Sequence, residues 1–151
     1  MVDYINSNFA GMFGYMPDCI ETYIIDLIKQ GTQLLIPLQN VSPTISYTGP
    51  AVVSEWTTTF NSNGGELIVY MMFSAYSSQQ GVAIFDLMID DNVATSLRFY
   101  FNAINTHLPV TTIAYKTILP AGPHKIGLRI PVNVFVDAND AATIQIIQKT
   151  P

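Results

Sequence analysis

Residues 66–76 read ELIVYMMFSAY, and this stretch decides the fold because apolar side chains occupy nearly every position. Successive side chains of a β-strand point to opposite faces, so these residues divide into two sets. One face carries Leu67, Val69, Met71 and Phe73, and the other carries Ile68, Tyr70 and Met72. A sandwich strand needs only one buried face. The stretch therefore predicts a long core strand whose second face is covered by another part of the protein or by a partner.

Turn-forming residues flank this strand and recur along the chain. Residues 61–65 and 77–81 are rich in Asn, Ser, Gln and Gly, residues 90–92 indicate a tight hairpin, and residues 120–123 combine two prolines with a glycine. The runs between them are rich in Val, Ile, Thr and aromatic residues, which favour strands. About eight strands separated by such turns predict an all-β, antiparallel jelly roll or β-sandwich.

Two of the runs alternate clearly between apolar and other residues. Residues 83–89 place Ala83, Phe85, Leu87 and Ile89 on one face, and residues 124–130 place Ile126, Leu128 and Ile130 on one face. Such alternation predicts one face toward a core and one toward water or a partner. We therefore expect these residues in the core.

Residues 18–30 are the one segment with a helical pattern. Asp18 is suited to the N-cap, Glu21 stands where a capping-box carboxylate belongs, and Gly31 suits the residue after the helix. The preceding residues, 1–17, hold aromatic residues without a period. We expect an N-terminal arm and helix over residues 1–40 that serve anchoring and assembly, and a β-sandwich over residues 41–151.

The second face of the long strand has three candidate covers, namely the helix, the arm and another subunit. Burial of an apolar side chain contributes about 1.5–3 kcal/mol, which is enough to drive assembly when several are involved. The arm is too aromatic for a solvated tail. We therefore predict an interface formed by Phe9, Phe13, Tyr15, Ile68, Tyr70 and Met72.

The composition favours assembly and disfavours binding to polyanions. Hydrophobic residues make up 49% of the chain and charged residues only 11%, against roughly 25% in an average soluble domain. Few charges are left to cover the surface, which favours burial against copies or partners. The net charge is −5 with six basic residues in total, so we expect neither nucleic acid nor an anionic membrane as a partner.

Known catalytic and metal-binding patterns are missing from the sequence. His107 and His124 lack a metal-ligand spacing, and neither a Gly-rich phosphate loop nor a G-x-S-x-G elbow occurs. Residues 137–140, DAND, suit a loop turn better than a calcium loop, whose ligand spacing they lack. We expect no catalytic, cofactor or metal residues, and therefore not an enzyme.

The beginning of the chain shows no signal-peptide pattern, and the apolar run at residues 67–73 is too short to span a bilayer. The chain has a single cysteine, Cys19, which excludes a disulfide within one chain. These features lead us to expect synthesis in a cytoplasm.

Residues 117–129, TILPAGPHKIGLR, resemble the strand–turn–strand "L-x-A-G-x-H-x-I-x-L-R" of bacteriophage virion jelly-roll domains. The matching positions are Leu119, Ala121, Gly122, His124, Ile126, Leu128 and Arg129. The hairpin around residues 90–92 also fits those domains, and the resemblance covers roughly residues 50–148. Such modules occur in tail fibres, head fibres and capsid decoration proteins, and are similar in shape to the trimeric tumour-necrosis-factor-like jelly roll.

The resemblance implies a structural virion protein, made in the host cytoplasm, that forms a homotrimer and docks on capsid or tail proteins through its N-terminal region. The alternative is a jelly roll that binds a carbohydrate or receptor, for example a host-surface glycan. In that alternative, exposed aromatic rings would stack on sugars. The candidates are Trp56, Tyr76, Tyr100 and Tyr115, and for Trp56 core packing is the favoured interpretation.

Overall fold

The structure, a computed structural model, describes residues 31–149, and most of them belong to one antiparallel sheet. Its strands are β1 (Thr32–Val41), β2 (Tyr47–Thr48), β3 (Ala51–Val52), β4 (Thr58–Ser77), β5 (Gly81–Ile89), β6 (Asn92–Phe101), β7 (Leu108–Ile130), β8 (Val134–Val136) and β9 (Ala142–Lys149). Over this part of the chain, the one helical element is a 3₁₀ turn at Ser54–Trp56. The prediction of an all-β antiparallel fold is confirmed, with nine strands rather than about eight.

The long strands β4 and β7 pair along almost their whole length and form the spine of the sheet. The strand order is β1-β9-β4-β7-β5-β6. Strand β9 pairs with the second half of β4, from Leu67 to Phe73, whereas β5 pairs with the last residues of β7, from Ile126 to Arg129. Strands β9 and β1 therefore lie on one edge of the spine at one of its ends, and β5 and β6 lie on the opposite edge at the other end.

The two predicted turns at residues 61–65 and 120–123 are not chain reversals. They are bends that lie opposite each other in the continuous β4–β7 ladder, where Ser62 pairs with Gly122 and Asn63 pairs with Ala121. In both strands, even-numbered residues face inward on one side of the bend and odd-numbered residues on the other. Gly64 and Gly122 adopt positive φ angles of 87° and 128°, which glycine tolerates. The bend turns both strands together and keeps one side of the ribbon toward the core.

A single core joins the two ends of the spine. Phe73 of β4 and Phe85 of β5 are not paired in the sheet, yet their ring centroids are 4.9 Å apart. The sheet therefore folds over on itself, as in a β-sandwich. The predicted inward faces are confirmed, because these residues are buried: Leu67, Val69, Met71, Phe73, Ala83, Phe85, Leu87, Ile89, Ile126, Leu128 and Ile130.

The sheet begins at Thr32 and includes residues that the sequence assigned to the N-terminal region. Strand β1 pairs with β9 from Thr32 to Val41, with register shifts between Leu35 and Leu38 and again between Leu38 and Val41. The predicted helix at residues 18–30 and arm at residues 1–17 lie outside the described residues. Within residues 31–149, no helix is long and apolar enough to cross a membrane.

Candidate functional site

The predicted interface residues Ile68, Tyr70 and Met72 lie on the outer face of β4. Ile68 and Tyr70 are half-buried, and Met72 is 41% exposed. The remaining predicted interface residues lie outside the described part of the chain: Phe9, Phe13 and Tyr15. The structure thus brings the three β4 residues together on one surface and leaves the contribution of the arm as a prediction.

The neighbours of these residues extend an apolar surface across three strands. Ile68 lies between Ile147 of β9 and Lys116 of β7 in the ladder. One step along β7, Ile118 is 74% exposed, and it pairs with Glu66. Lys116 Nζ and Glu66 Oε2 form an ion pair of 2.8 Å on the same face. We call the surface formed by Ile68, Tyr70, Met72, Ile118 and Ile147 the outer β4 face.

The four candidate sugar-stacking aromatics have different environments. Trp56 is fully buried and its indole N–H donates to the Val41 carbonyl oxygen at 2.8 Å, so it belongs to the core. Tyr115 is half-buried against the core. Tyr76 is half-buried and stacks on Phe135, with ring centroids 5.3 Å apart. Only Tyr100, at 61% exposure, offers an open ring.

Tyr100 lies in a second exposed surface on β5 and β6. It pairs with Val82, which is 63% exposed, and the next outward pair is Ile84 with Arg98. Among residues 31–149, no carboxylate forms an ion pair with the Arg98 guanidinium. The surface therefore combines an aromatic ring, aliphatic side chains and an available cation.

His124, from the run that resembles virion domains, is a structural link. Its ring is 8% exposed, Nδ1 is 2.7 Å from Asp90 Oδ2, and Nε2 is 3.0 Å from the Pro120 carbonyl oxygen. The hydrogen bond to Asp90 raises the pKa of His124, although burial acts in the opposite direction. The same bond, together with the Lys125 N–H, lowers the pKa of Asp90. The pair ties the β5–β6 turn to β7.

Glu55 holds the loop between β1 and the 3₁₀ turn. Its carboxylate accepts hydrogen bonds from the hydroxyls of Tyr47 and Ser54 and from the Thr44 N–H. These donors lower the pKa of Glu55 to about 2. These hydrogen-bond partners all belong to the same chain, so we interpret Glu55 as a residue that stabilises this loop.

A cluster that the sequence did not predict forms where the β6–β7 and β8–β9 loops meet. His107 Nδ1 lies 2.8 Å from Asp140 Oδ1, and His107 Nε2 lies 3.9 Å from Asp137 Oδ2. Asp140 is fully buried, and the Tyr76 ring packs on His107 with centroids 4.6 Å apart. Burial and the nearby charges of Asp137 and Asp140 raise the pKa of Tyr76. The imidazole nitrogens of His107 and the carboxylate oxygens of Asp137 and Asp140 are ligand types that could hold a metal ion.

Ser74 also contacts this cluster, but the order of contacts differs from that of a catalytic triad. Its hydroxyl donates to Asp140 Oδ1 at 2.8 Å, the same atom that His107 Nδ1 contacts. In a triad, the imidazole stands between the hydroxyl and the carboxylate. Here the carboxylate stands between the other two, so the Ser74 hydroxyl contacts the Asp140 carboxylate and not the imidazole.

A groove of about 590 Å³ opens beside Ser74 on the outer surface. It lies where the β4–β7 register shifts between Met71 and Phe73. Its lining mixes apolar side chains with hydroxyls: Asn40, Met72, Phe73, Ser74, Pro109, Val110, Thr111, Thr112, Ala141 and Thr143. The groove therefore adjoins one end of the outer β4 face.

Comparisons with known proteins support the fold alone. No protein-family model and no curated protein matches the sequence. Among solved structures, dimeric latent PorU from Porphyromonas gingivalis is similar over 78% of this chain, with 14% identity and a TM-score of 0.54, and the match spans 12% of the PorU chain. At this identity the similarity shows the fold and carries no function.

Two further structures resemble the chain more distantly. The infectious bursal disease virus VP2 subviral particle matches over 79% of this chain and 32% of its own, with 8% identity and a TM-score of 0.41. A family 35 carbohydrate-binding module from Clostridium thermocellum matches over 76% of this chain and 90% of its own, with 13% identity and a TM-score of 0.39.

Proposed function

We propose that this chain is a non-catalytic, jelly-roll β-sandwich module whose function is assembly, as a structural protein of a bacteriophage virion. In this proposal it forms a homotrimer and docks through its N-terminal region as capsid decoration, head fibre or tail-associated protein. The resemblance of residues 117–129 supports the virion assignment, and the charged fraction of 11% supports extensive burial against copies or partners.

The observation that carries the assembly proposal is the outer β4 face. Ile118 is 74% exposed and Met72 is 41% exposed, beside the half-buried Ile68 and Tyr70. Large apolar side chains that lie together on a surface mark a site of association. The Lys116–Glu66 ion pair lies at 63% and 44% side-chain exposure, which suits the polar rim of an interface.

The assembly test is the molar mass in solution, measured by light scattering after gel filtration at micromolar concentration. We expect the wild-type chain to form trimers and the Met72→Glu/Ile118→Glu variant to form smaller species, because the charges would be buried without partners. The matched control is Ile45→Glu, since Ile45 is 60% exposed and lies outside the outer β4 face. A monomeric wild-type chain would overturn the proposal.

The docking test uses a chain that lacks residues 1–17. We expect this chain to keep its β-sheet circular dichroism spectrum and to lose co-sedimentation with virus particles. Loss of the fold instead would mean that the arm belongs to the core, and unchanged co-sedimentation would place docking elsewhere.

A second function, carbohydrate binding, is favoured by the Tyr100 surface. The exposed Tyr100 belongs to the residue pair next to that of Arg98 on the outward face of β5 and β6. Aromatic rings of this kind stack on sugars, and cations hydrogen-bond to sugar oxygens. A glycan array tests it. We expect any hit to be lost in Tyr100→Ala and kept in Tyr100→Phe, because phenylalanine retains the stacking face. An array without hits leaves the assembly proposal as the only one.

A further inference from the structure

We infer that His107 and Asp137 form a binding site for a zinc-like divalent metal ion, with Asp140 as the positioning residue. The site joins the loop between β6 and β7 to the loop between β8 and β9. It is independent of the proposed function, since none of these residues lies on the outer β4 face.

The geometry leaves two electron-pair donors facing each other. The buried Asp140 carboxylate accepts from His107 Nδ1 at 2.8 Å, which places the ring proton on Nδ1. In the neutral imidazole with this tautomer, Nε2 carries the lone pair, and it lies 3.9 Å from Asp137 Oδ2. This distance is too long for a hydrogen bond.

The same distance is close to the separation of two ligands of one zinc ion. Zinc binds imidazole nitrogen and carboxylate oxygen at about 2.0–2.2 Å, so two ligands of a tetrahedral ion stand about 3.4 Å apart. The observed 3.9 Å is about 0.5 Å longer, so a small rotation of either side chain would bring both atoms to the zinc-ligand separation. The His107 side chain is 33% exposed and that of Asp137 is 23% exposed, so solvent can reach the ion and supply the remaining ligands.

The supporting hydrogen bonds hold both carboxylates in place. Asp140 accepts from the Ser74 hydroxyl at 2.8 Å and from the Asp137 N–H at 3.0 Å. Asp137 Oδ1 accepts from the Asn139 N–H at 2.8 Å, which leaves Oδ2 directed at His107. A carboxylate bonded to the far nitrogen of a metal-binding imidazole fixes the orientation of the ring. In this cluster, Asp140 is the carboxylate that bonds to His107 Nδ1 and fixes the orientation of the ring.

The charges at the cluster also favour a cation. Within residues 31–149, the Lys and Arg ion pairs reach Glu66, Asp91 and Asp86, and none of them reaches Asp137 or Asp140. Two carboxylates, one of them fully buried, therefore share a single histidine. The imidazole nitrogen selects a zinc-like ion over calcium, which prefers oxygen ligands only.

The chain contains only two histidines, which makes the test specific. The probe is Zn²⁺, added to metal-free full-length chain that carries Cys19→Ser in every sample, so that the thiol cannot bind zinc. Ring signals of both histidines are followed by NMR. We expect the His107 signals to move and the His124 signals to stay, because both His124 nitrogens are already hydrogen-bonded.

Two variants assign the ligands. We expect Asp137→Asn to weaken zinc binding at least about tenfold while keeping the loop turn, because its amide oxygen can still accept from the Asn139 N–H. The matched control is Asp91→Asn, at a carboxylate that is 78% exposed and pairs with Lys125, and it should bind zinc as the parent does.

Several outcomes would overturn the inference. Unmoved His107 signals would do so, and so would equal movement of both histidines, which would indicate nonspecific binding. Unchanged affinity in Asp137→Asn would remove Asp137 as a ligand. A Ca²⁺ titration that raises the melting temperature without moving His107 signals would instead identify a calcium loop at residues 137–140.

Discussion

At the scale of single residues, His124 couples the stability of the fold to pH. Its two ring nitrogens face two acceptors, Asp90 Oδ2 and the Pro120 carbonyl oxygen. Both nitrogens must carry hydrogen to satisfy both partners, which requires the imidazolium form. Neutral His124 would lose one of these bonds in a site that is 8% exposed. The charged form is therefore the one that satisfies both acceptors.

We expect the free energy of unfolding to fall as the pH rises. The folded-state pKa of His124 is raised above its ordinary value of 6.5. The stabilisation is therefore complete below pH 6.5 and is lost as the pH rises through the folded-state pKa. The loss should be about 1.5–3 kcal/mol, as for hydrogen bonds to charged groups. Urea unfolding between about pH 5.5 and about pH 8.5 measures it.

His124→Gln is the control for this pH dependence, because glutamine has no charge to lose in that range. Parallel pH profiles of the variant and the wild-type chain would show that His124 does not carry the effect. On the acid side, Asp90 has a lowered pKa, so its contribution is present above its ordinary value of 3.8 and is lost as the pH falls through the folded-state pKa.

Trp56 is an aromatic residue of the core and Tyr100 is one of the surface, so their replacement should affect stability differently. Trp56→Phe removes the indole N–H that bonds to the Val41 carbonyl oxygen and leaves space beside Phe73. We expect a loss of about 2–4 kcal/mol in unfolding free energy. Tyr100→Ala, at a side chain that is 61% exposed, should stay within about 0.5 kcal/mol of the wild type. Chemical denaturation checks both, and a similar loss in the two variants would contradict the assignment.

At the scale of elements, the bend in the β4–β7 ribbon explains where sequence reasoning succeeded and where it failed. Alternation within a strand is a local property, so the inward residues of β5 and of the second half of β7 could be predicted. The composition of residues 61–65 and 120–123 predicted turns, and this was wrong, because both strands continue through these segments with a bend. That the two segments pair with each other depends on contacts between residues far apart in the chain, which composition does not encode.

The loop cluster escaped prediction for the same reason. His107 lies 33 residues before Asp140, and no local spacing connects them. Residues 137–140 were recognised as a loop with carboxylates. The register of β4, β8 and β9 then decides that this loop meets His107, and it also places Ser74 behind Asp140.

Gln148 of β9 fixes the bend of β4. Its side chain is fully buried, its Nε2 donates to Ser62 Oγ at 2.7 Å, and its Oε1 accepts from the Asn63 N–H at 3.1 Å. Gln148→Leu would remove both hydrogen bonds at a buried position, so we expect a loss of about 1–3 kcal/mol in unfolding free energy. Thermal or urea unfolding measures it.

Gln145 supplies the matched control for Gln148. It lies on the same strand and is half-buried on the outer face, opposite Tyr70. Gln145→Leu should change the unfolding free energy by no more than about 0.5 kcal/mol. Equal losses in the two variants would mean that the substitution disturbs β9 in general, and that the hydrogen bonds at the bend are not the cause.

At the scale of the whole molecule, the low charge density sets how the proposed assembly responds to salt. Each copy carries a net charge of −5, so copies repel one another at low ionic strength. The contact proposed for the outer β4 face is apolar, and salt does not weaken burial of this kind. Screening at about 0.1 M salt or more shortens the reach of the repulsion to about 10 Å or less. Association should therefore strengthen as salt is added.

We expect the dissociation constant of the assembly to fall when NaCl is raised from about 0.02 M to about 0.5 M, as measured by sedimentation velocity over a concentration series. The Lys116–Glu66 pair lies at the rim and is largely solvated, so its screening should offset little of this gain. A Lys116→Gln variant has a net charge one unit more negative, and its association should respond more strongly to salt. Dissociation at high salt would instead show that ion pairs between copies hold the assembly together, and would contradict an apolar contact at the outer β4 face.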